Sequence, residues 1–148
     1  MPDLDSLAER LDIAARTASA TTQLTAAHPD LTLDDAYAVQ RRLIAHREAR
    51  GERVIGVKMG FTSRAKMAQM GVSDLIWGRL TDAMQIADDG ALDMRRFVHP
   101  RIEPEVAFRL KAPLAGPVGS AEALAAIEAV APAMGVIDRR YADFRFAL

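Results

Sequence analysis

The chain has 148 residues, half of them apolar and 26% charged, which suits one globular domain and excludes a disordered or collagen-like polypeptide. With 19 Lys and Arg against 20 Asp and Glu, the formal net charge is −1, so nothing points to a protein that coats nucleic acid or anionic membrane. There is no cysteine, which removes a disulfide framework, a thiolate zinc site and a cysteine nucleophile.

The three histidines, His28, His46 and His99, show no metal-ligand spacing. No apolar run approaches the roughly 20 residues that span a bilayer, and MPDLDSLAER lacks the basic-then-apolar order of a signal peptide. The expectation is a soluble, cytoplasmic protein.

In chain order, Leu4, Leu7, Leu11, Ala14, Ala15 and Ala18 recur at helical spacing, with Asp3, Asp5 and Glu9 near the start to suit the helix dipole. TTQLTAAHPD reads as a polar connection broken by Pro29. A second helix follows, with Thr32 as N-cap, Asp35 as a capping-box analogue, an apolar stripe of Ala36, Val39, Leu43 and Ile44, and Gly51 as its stop. Val54 to Phe61 (VIGVKMGF) is short, apolar and β-branched at its start, and predicts a strand. Ser63 is placed to cap a short helix through Met70, closed by Gly71. Ile76 to Ile86 reads as two short strands about a turn, and Asp88-Asp89-Gly90 as a turn.

Arg101 to Leu110 (RIEPEVAFRL) alternates, with Ile102, Pro104, Val106, Phe108 and Leu110 on one face and Glu103, Glu105, Ala107 and Arg109 on the other. Pro104 lacks an amide donor, which predicts an edge strand or a bulge there. After the loop KAPLAGPVG, a helix capped by Ser120 is predicted to run to about Val130. Pro132 is read as its stop and Ala133 to Asp138 as a further strand. Tyr141 to Phe146 alternates once more as a strand that ends in apolar residues and calls for a partner.

Three places carry chemistry. Glu103 and Glu105, two apart on a strand, project from one face about 6.5 to 7 Å apart. Such a pair suits a hard divalent cation, Mg²⁺ or Mn²⁺, or else forms a solvated face paired with arginines such as Arg101. Lys58 lies within an apolar stretch between Gly56 and Gly60. There it serves as a proton carrier or anion holder, or snorkels to solvent. Thr62 and Ser63 stand at a strand-to-helix turn, where backbone donors bind a carboxylate or Ser63 simply caps the helix. Met59, Met67, Met70 and Met84 read as core filling, and Trp77 as a core or pocket residue. No P-loop, Rossmann fingerprint or Gly-x-Ser-x-Gly elbow is present.

Taken in order, VIGVKMGFTSRAKMAQMGV, IWGRLTDAM, HPRIEPEVAF, KAPLAGP and VAPAMGVIDRRYADFRF resemble the 2-keto-4-pentenoate hydratase / 4-oxalocrotonate decarboxylase family of the fumarylacetoacetate hydrolase superfamily. The resemblance begins near DDAYAVQ and is closer to the decarboxylase branch. It implies an α+β fold: an N-terminal helical subdomain (1–52) followed by the first part of a fumarylacetoacetate-hydrolase-like mixed β-roll (53–148), with the C-terminal half of the roll absent. It implies metal-dependent decarboxylation of 4-oxalocrotonate (2-oxo-3-hexenedioate) in meta-cleavage breakdown of aromatic compounds, by a truncated chain, with the hydratase reaction of the same family, or an inactive fragment or non-catalytic partner of a full-length enzyme, as alternatives.

Its implied site has Glu103 and Glu105 as ligands of Mg²⁺ or Mn²⁺, Lys58 as the catalytic lysine, and Thr62 and Ser63 at the substrate. Its implied partners are a small 2-oxo acid and either further copies of the chain or a family hydratase. One departure stands out. Where the family pattern P-A-x-E-hydrophobic-hydrophobic-D supplies a third carboxylate, this chain reads PAMGVID, with Gly135 in its place.

Overall fold

The computed structural model describes residues 2–70 and 73–143. The fold mixes helix and sheet: α1 (Leu4–Arg16), α2 (Leu24–Ala27), α3 (Leu33–Ala49), β1 (Val54–Gly60), α4 (Arg64–Met70), β2 (Ile76–Thr81), β3 (Pro100–Leu110), α5 (Ser120–Ala126) and β4 (Ile127–Asp138). The chain divides into two compact units, Met1–Val98 with Arg139–Leu148, and His99–Asp138.

In the first unit, α1 starts where the Asp3 carboxylate accepts from the amides of Asp5 and Ser6. It ends with the Ser19 amide donating to the Ala14 carbonyl at 3.0 Å and Ala18 in the left-handed region at φ 49°. At the head of α3, Thr32 and Asp35 form a full capping box. The Thr32 amide and hydroxyl hold the Asp35 carboxyl below its ordinary range. Gly51, at φ 94°, stops α3, as the sequence predicts.

Leu7, Ala8, Leu24, Val39, Leu43 and Ile44 make the core, with Leu4, Leu11, Leu31 and Val54 packed around it. Burying each large aliphatic side chain here contributes about 1.5 to 3 kcal/mol. Ala38, not Ala36, completes the buried stripe of α3, and Ala36 is exposed. The supposed polar connection contains α2, whose Leu24 enters the core.

A polar chain braces this unit. Asp12, buried on α1, is gripped bidentately by Arg50 at 2.7 and 2.8 Å, which raises the Arg50 pKa through hydrogen bonding to Asp12. Arg47 donates to Glu52 at 2.8 Å. The hydroxyl of the fully buried Thr81 donates to the same carboxylate at 2.5 Å.

β1 and β2 form an antiparallel ribbon, with Lys58 opposite Gly78 and Met59 opposite Trp77. The second strand expected before Ile86 is absent: β2 ends at Thr81 and turns through a short 3-10 segment, Asp82–Met84. The far edge of β2 is closed by side chains of α3. The Gln40 amide donates to the Trp77 carbonyl at 3.0 Å and accepts from the Arg79 amide at 3.3 Å. The Tyr37 hydroxyl accepts from the Trp77 amide at 3.4 Å, and its ring stacks on Trp77 with centroids 5.2 Å apart. These side chains stand where a neighbouring strand would, and they mask an edge open to aggregation. Met59 and Met84 are exposed rather than core filling.

In the second unit, β3 and β4 pair antiparallel from Pro100 opposite Asp138 to Leu110 opposite Ile127. The irregularity falls at Arg109/Leu110 and not at Pro104, which pairs regularly with Met134. Each strand of a two-stranded ribbon has an open side, where a proline's missing donor is tolerated. The helix expected to reach Val130 ends at Ala126, because the β-branched Ile127 and the residues after it pair with Phe108 to Leu110 instead. Gly119 occupies its N-cap, and Ser120 is the first helical residue.

Of the strand expected at Tyr141 to Phe146, Tyr141 makes a single parallel bridge with Thr21, and Phe144 to Phe146 lie outside the described residues, as does Gly71. Burial raises the Tyr141 phenol above its usual pKa. No helix among the described residues is long and apolar enough to cross a membrane.

Candidate active site

Lys58 sits in the middle of β1. Alternation puts it on the same face as Val54, Gly56 and Gly60, and that face is half-buried, whereas Ile55, Val57 and Met59 on the other face are exposed. On its own face glycines stand nearest Lys58, with Leu80 and Ile76 of β2 diagonal to it. Gly56 and Gly60 flank it along the strand, and Gly78 stands directly across. A Cβ placed on Gly56 would meet nothing within 4 Å, and one on Gly78 would only reach the end of Gln40 at 4.0 Å. At Gly60 the reason for glycine is different, since a Cβ would strike Ile76 at 2.8 Å.

The chain leaves β1 through Phe61, held at φ 56°. A bulky residue in the left-handed region costs about 1 to 2 kcal/mol, and such strain concentrates at functional turns. Thr62 and Ser63 come next, both exposed, and α4 starts immediately after them.

The β3–β4 ribbon repeats the pattern. Glu103 and Glu105 share one face of β3 and are both half-buried. Across from them on β4 stand Gly135 and Ala133, followed by Ala131 and Ala129 opposite Ala107 and Arg109. The positions opposite the two carboxylates thus carry one side-chain carbon or none.

Gly135, directly opposite Glu103, shares its face, so a side chain there would stand about 4.5 to 5.5 Å from that of Glu103. Asp138 pairs with Pro100 on the other face, and its carboxylate accepts from the His99 amide at 2.7 Å. Two hard oxygen donors at this spacing suit two positions on a divalent cation. Among the described residues, no group of three or more His, Cys, Asp or Glu stands ready to hold a metal. Glu103 and Glu105 are thus two carboxylates on one half-buried strand face, with Gly135 directly opposite Glu103.

Lys58 and the Thr62-Ser63 turn lie in one compact unit, and Glu103 and Glu105 in the other. The small residues opposite the charged ones, Gly78, Ala133 and Gly135, escape a reading by spacing alone. The strand register that reveals them is signalled only by the alternation of each strand.

The comparisons with known proteins bear on both ribbons. No protein-family model matches the chain. A 4-oxalocrotonate decarboxylase from a Pseudomonas species is 57% identical over 145 residues, covering 98% of this chain and 56% of the relative. The solved structure of the 4-oxalocrotonate decarboxylase from Pseudomonas putida G7, complexed with magnesium and adipate, superposes with a TM-score of 0.92 at 42% identity, over 97% of this chain and 55% of that one.

This chain is a homologue of the 4-oxalocrotonate decarboxylase and hydratase family.

A 2-hydroxyhexa-2,4-dienoate hydratase from Comamonas testosteroni is more distant, at 38% identity over 148 residues. The match to the decarboxylases takes in α1, so it begins earlier than the DDAYAVQ of the second helix. The chain spans about half the length of the curated decarboxylases it matches.

Proposed function

We propose that this chain carries the Lys58 and Glu103/Glu105 elements of a divalent-metal-dependent 4-oxalocrotonate decarboxylase. The observation that carries the reading is that each charged candidate is half-buried on a strand and stands opposite glycine or alanine, in a chain 57% identical to one decarboxylase and 42 to 44% to two others, against 38 and 41% to two hydratases.

The substrate is a vinylogous β-keto acid, and loss of CO₂ sends electrons through the conjugated chain onto the 2-oxo oxygen. A divalent ion, Mg²⁺ or Mn²⁺, supplies Lewis-acid stabilisation for that charge when bound. Glu103 and Glu105 would hold it through their carboxylate oxygens. The Lys58 ammonium would hold an anionic end of the substrate or carry the proton that quenches the dienolate. The bare backbone at Gly56 and Gly78 leaves room for a flat conjugated chain beside it. Thr62 and Ser63 would offer donors to a substrate carboxylate as the chain turns into α4.

The two ribbons would be parts of a mixed β-roll, with residues 1–52 as a helical subdomain in front of it. The protein would work in the cytoplasm on a small 2-oxo acid, as further copies of itself or alongside a family hydratase.

The test is turnover of 4-oxalocrotonate by this chain co-expressed with the remaining portion of the Pseudomonas decarboxylase. Metal-dependent CO₂ release that falls at least tenfold in Glu103→Gln and in Lys58→Ala is expected. Hydration of 2-hydroxypenta-2,4-dienoate without CO₂ release would move the chain to the hydratase reaction, and a folded assembly that does neither would overturn the proposal.

A further inference from the structure

Glycines stand on three sides of Lys58: Gly56 and Gly60 two residues away along β1, and Gly78 opposite on β2. A glycine backbone is the least restricted of any. A charged side chain rooted there keeps its aim only if something else holds the strand. That hold comes from α3, at the far edge of β2.

The contacts fall on both sides of Gly78. The Gln40 amide donates to the Trp77 carbonyl at 3.0 Å, and its oxygen accepts from the Arg79 amide at 3.3 Å. One side chain thus bridges the peptide groups before and after Gly78. Its nitrogen lies so near that a Cβ on Gly78 would meet it at 4.0 Å. Tyr37, one turn earlier on α3, accepts from the Trp77 amide at 3.4 Å and stacks on the Trp77 ring.

The outward-facing groups therefore belong to Trp77 and Arg79. Alternation along the strand turns the amide and carbonyl of Gly78 the other way, toward β1, where its register partner is Lys58. Masking an edge does not by itself call for this arrangement, since any bulky side chain covers one. A primary amide supplies a donor and an acceptor together, which is what the two groups flanking Gly78 require.

We infer that Gln40, backed by Tyr37, is a positioning residue for Lys58. It fixes the Gly78 segment from outside, and Gly78 in turn holds the Lys58 backbone from which the ammonium is aimed. This deepens the decarboxylase reading and rests on it, because the aim matters to turnover only where Lys58 meets the substrate.

Gln40→Met keeps the length of the side chain, its helix propensity and its cover over the edge, but can make neither bond. Amide exchange on the full chain is the first measurement. Exchange at least tenfold faster at the inward amides of Gly78 and Lys58 is expected, with the core amides of Leu43 and Ile44 unchanged. Faster exchange confined to the outward amide of Arg79 would reduce Gln40 to an edge cover and overturn the inference. Tyr37→Phe keeps the ring stack and removes one hydroxyl, so it repeats the comparison with a milder change. A smaller rise at Gly78 is expected there, and none at all would count against the inference.

Kinetics separates positioning from stability. In the assembly with the remaining portion of the Pseudomonas decarboxylase, Gln40→Met should lower kcat/KM for 4-oxalocrotonate at least fivefold, yet less than twofold where Lys58 is already alanine. Equal losses in both backgrounds would overturn the inference, because a side chain that only supports the fold supports residual turnover as well. An assembly without turnover, or one indifferent to Lys58→Ala, would count against the role given to Lys58 itself, and the exchange comparison alone then decides whether Gln40 holds the strand.

Discussion

Replacing Gly135 with glutamate asks whether the vacant position opposite Glu103 is a ligand position. Gly135 lies within a regular antiparallel ladder directly across from Glu103, so Gly135→Glu adds a carboxylate to the face that already carries Glu103 and Glu105. At a separation of about 5 Å, two unit charges repel by about 1 kcal/mol in a water-like dielectric and about 3 kcal/mol at an effective dielectric of 20. The half-burial of this face puts the cost between those limits. Removing a glycine from a strand interior returns about 0.5 to 1 kcal/mol. Without metal, the variant ribbon should therefore be less stable by about 1 to 2 kcal/mol.

With Mg²⁺ or Mn²⁺ at a hundred times its dissociation constant, binding adds about 2.7 kcal/mol and reverses the sign. Amide exchange along β3 and β4 in chelator and in metal measures both states locally. Calorimetry should show at least tenfold tighter Mn²⁺ binding than in the parent chain. An unchanged affinity, or equal destabilisation in both buffers, would refute the placement of the missing ligand at Gly135.

Asp12→Ala should destabilise the first unit by about 2 kcal/mol in urea denaturation, below the usual cost of breaking a buried pair because Arg50 keeps a third of its side chain in solvent; an effect under 0.5 kcal/mol would mean that the bidentate contact braces nothing. The lowered pKa of Asp35 means that its contribution is fully present above the ordinary carboxylate pKa and is lost as pH falls through the folded value. Asp35→Asn should flatten that acid limb in circular dichroism, and an unchanged limb would remove the capping box from it. Gly56→Val should leave the fold within about 1 kcal/mol, since the added atoms enter open space, yet abolish adipate-induced NMR shifts around Lys58 in the complex with the remaining portion; persistent shifts would show that the substrate does not lie over Gly56.

Much of the fold is legible in the sequence where local chemistry decides it. The Asp3 start, the Thr32/Asp35 box and the Gly51 stop are side-chain or φ-angle effects, readable within a few residues. The alternation of RIEPEVAF likewise puts Glu103 and Glu105 on one face. The errors fall where pairing across the chain outweighs local preference. Ile127 and the residues after it are drawn into β4 by β3 although the preceding alanines favour helix, and the residues after Thr81 turn where the local sequence predicts a further strand.

Alternation also misleads about burial. It names the two faces of β1 and β3 correctly, but the apolar side chains Ile55, Val57, Ile102, Val106 and Phe108 are exposed while Lys58, Glu103 and Glu105 are half-buried. The small residues that stand opposite Lys58 and Glu103 carry no signal of their own, because glycine and alanine acquire meaning there only once the register is known.

The central claim, that the Glu103/Glu105 face of the β3–β4 ribbon holds a divalent cation, is tested most directly by titrating the isotope-labelled chain with Mn²⁺ and reading paramagnetic broadening residue by residue. The amides of Glu103, Glu105, Ala133 and Gly135 should broaden first, and Glu103→Gln with Glu105→Gln should abolish the effect. Broadening confined to the acidic residues Asp3, Asp5 and Glu9 of the α1 segment, or unchanged in the double variant, would contradict the account.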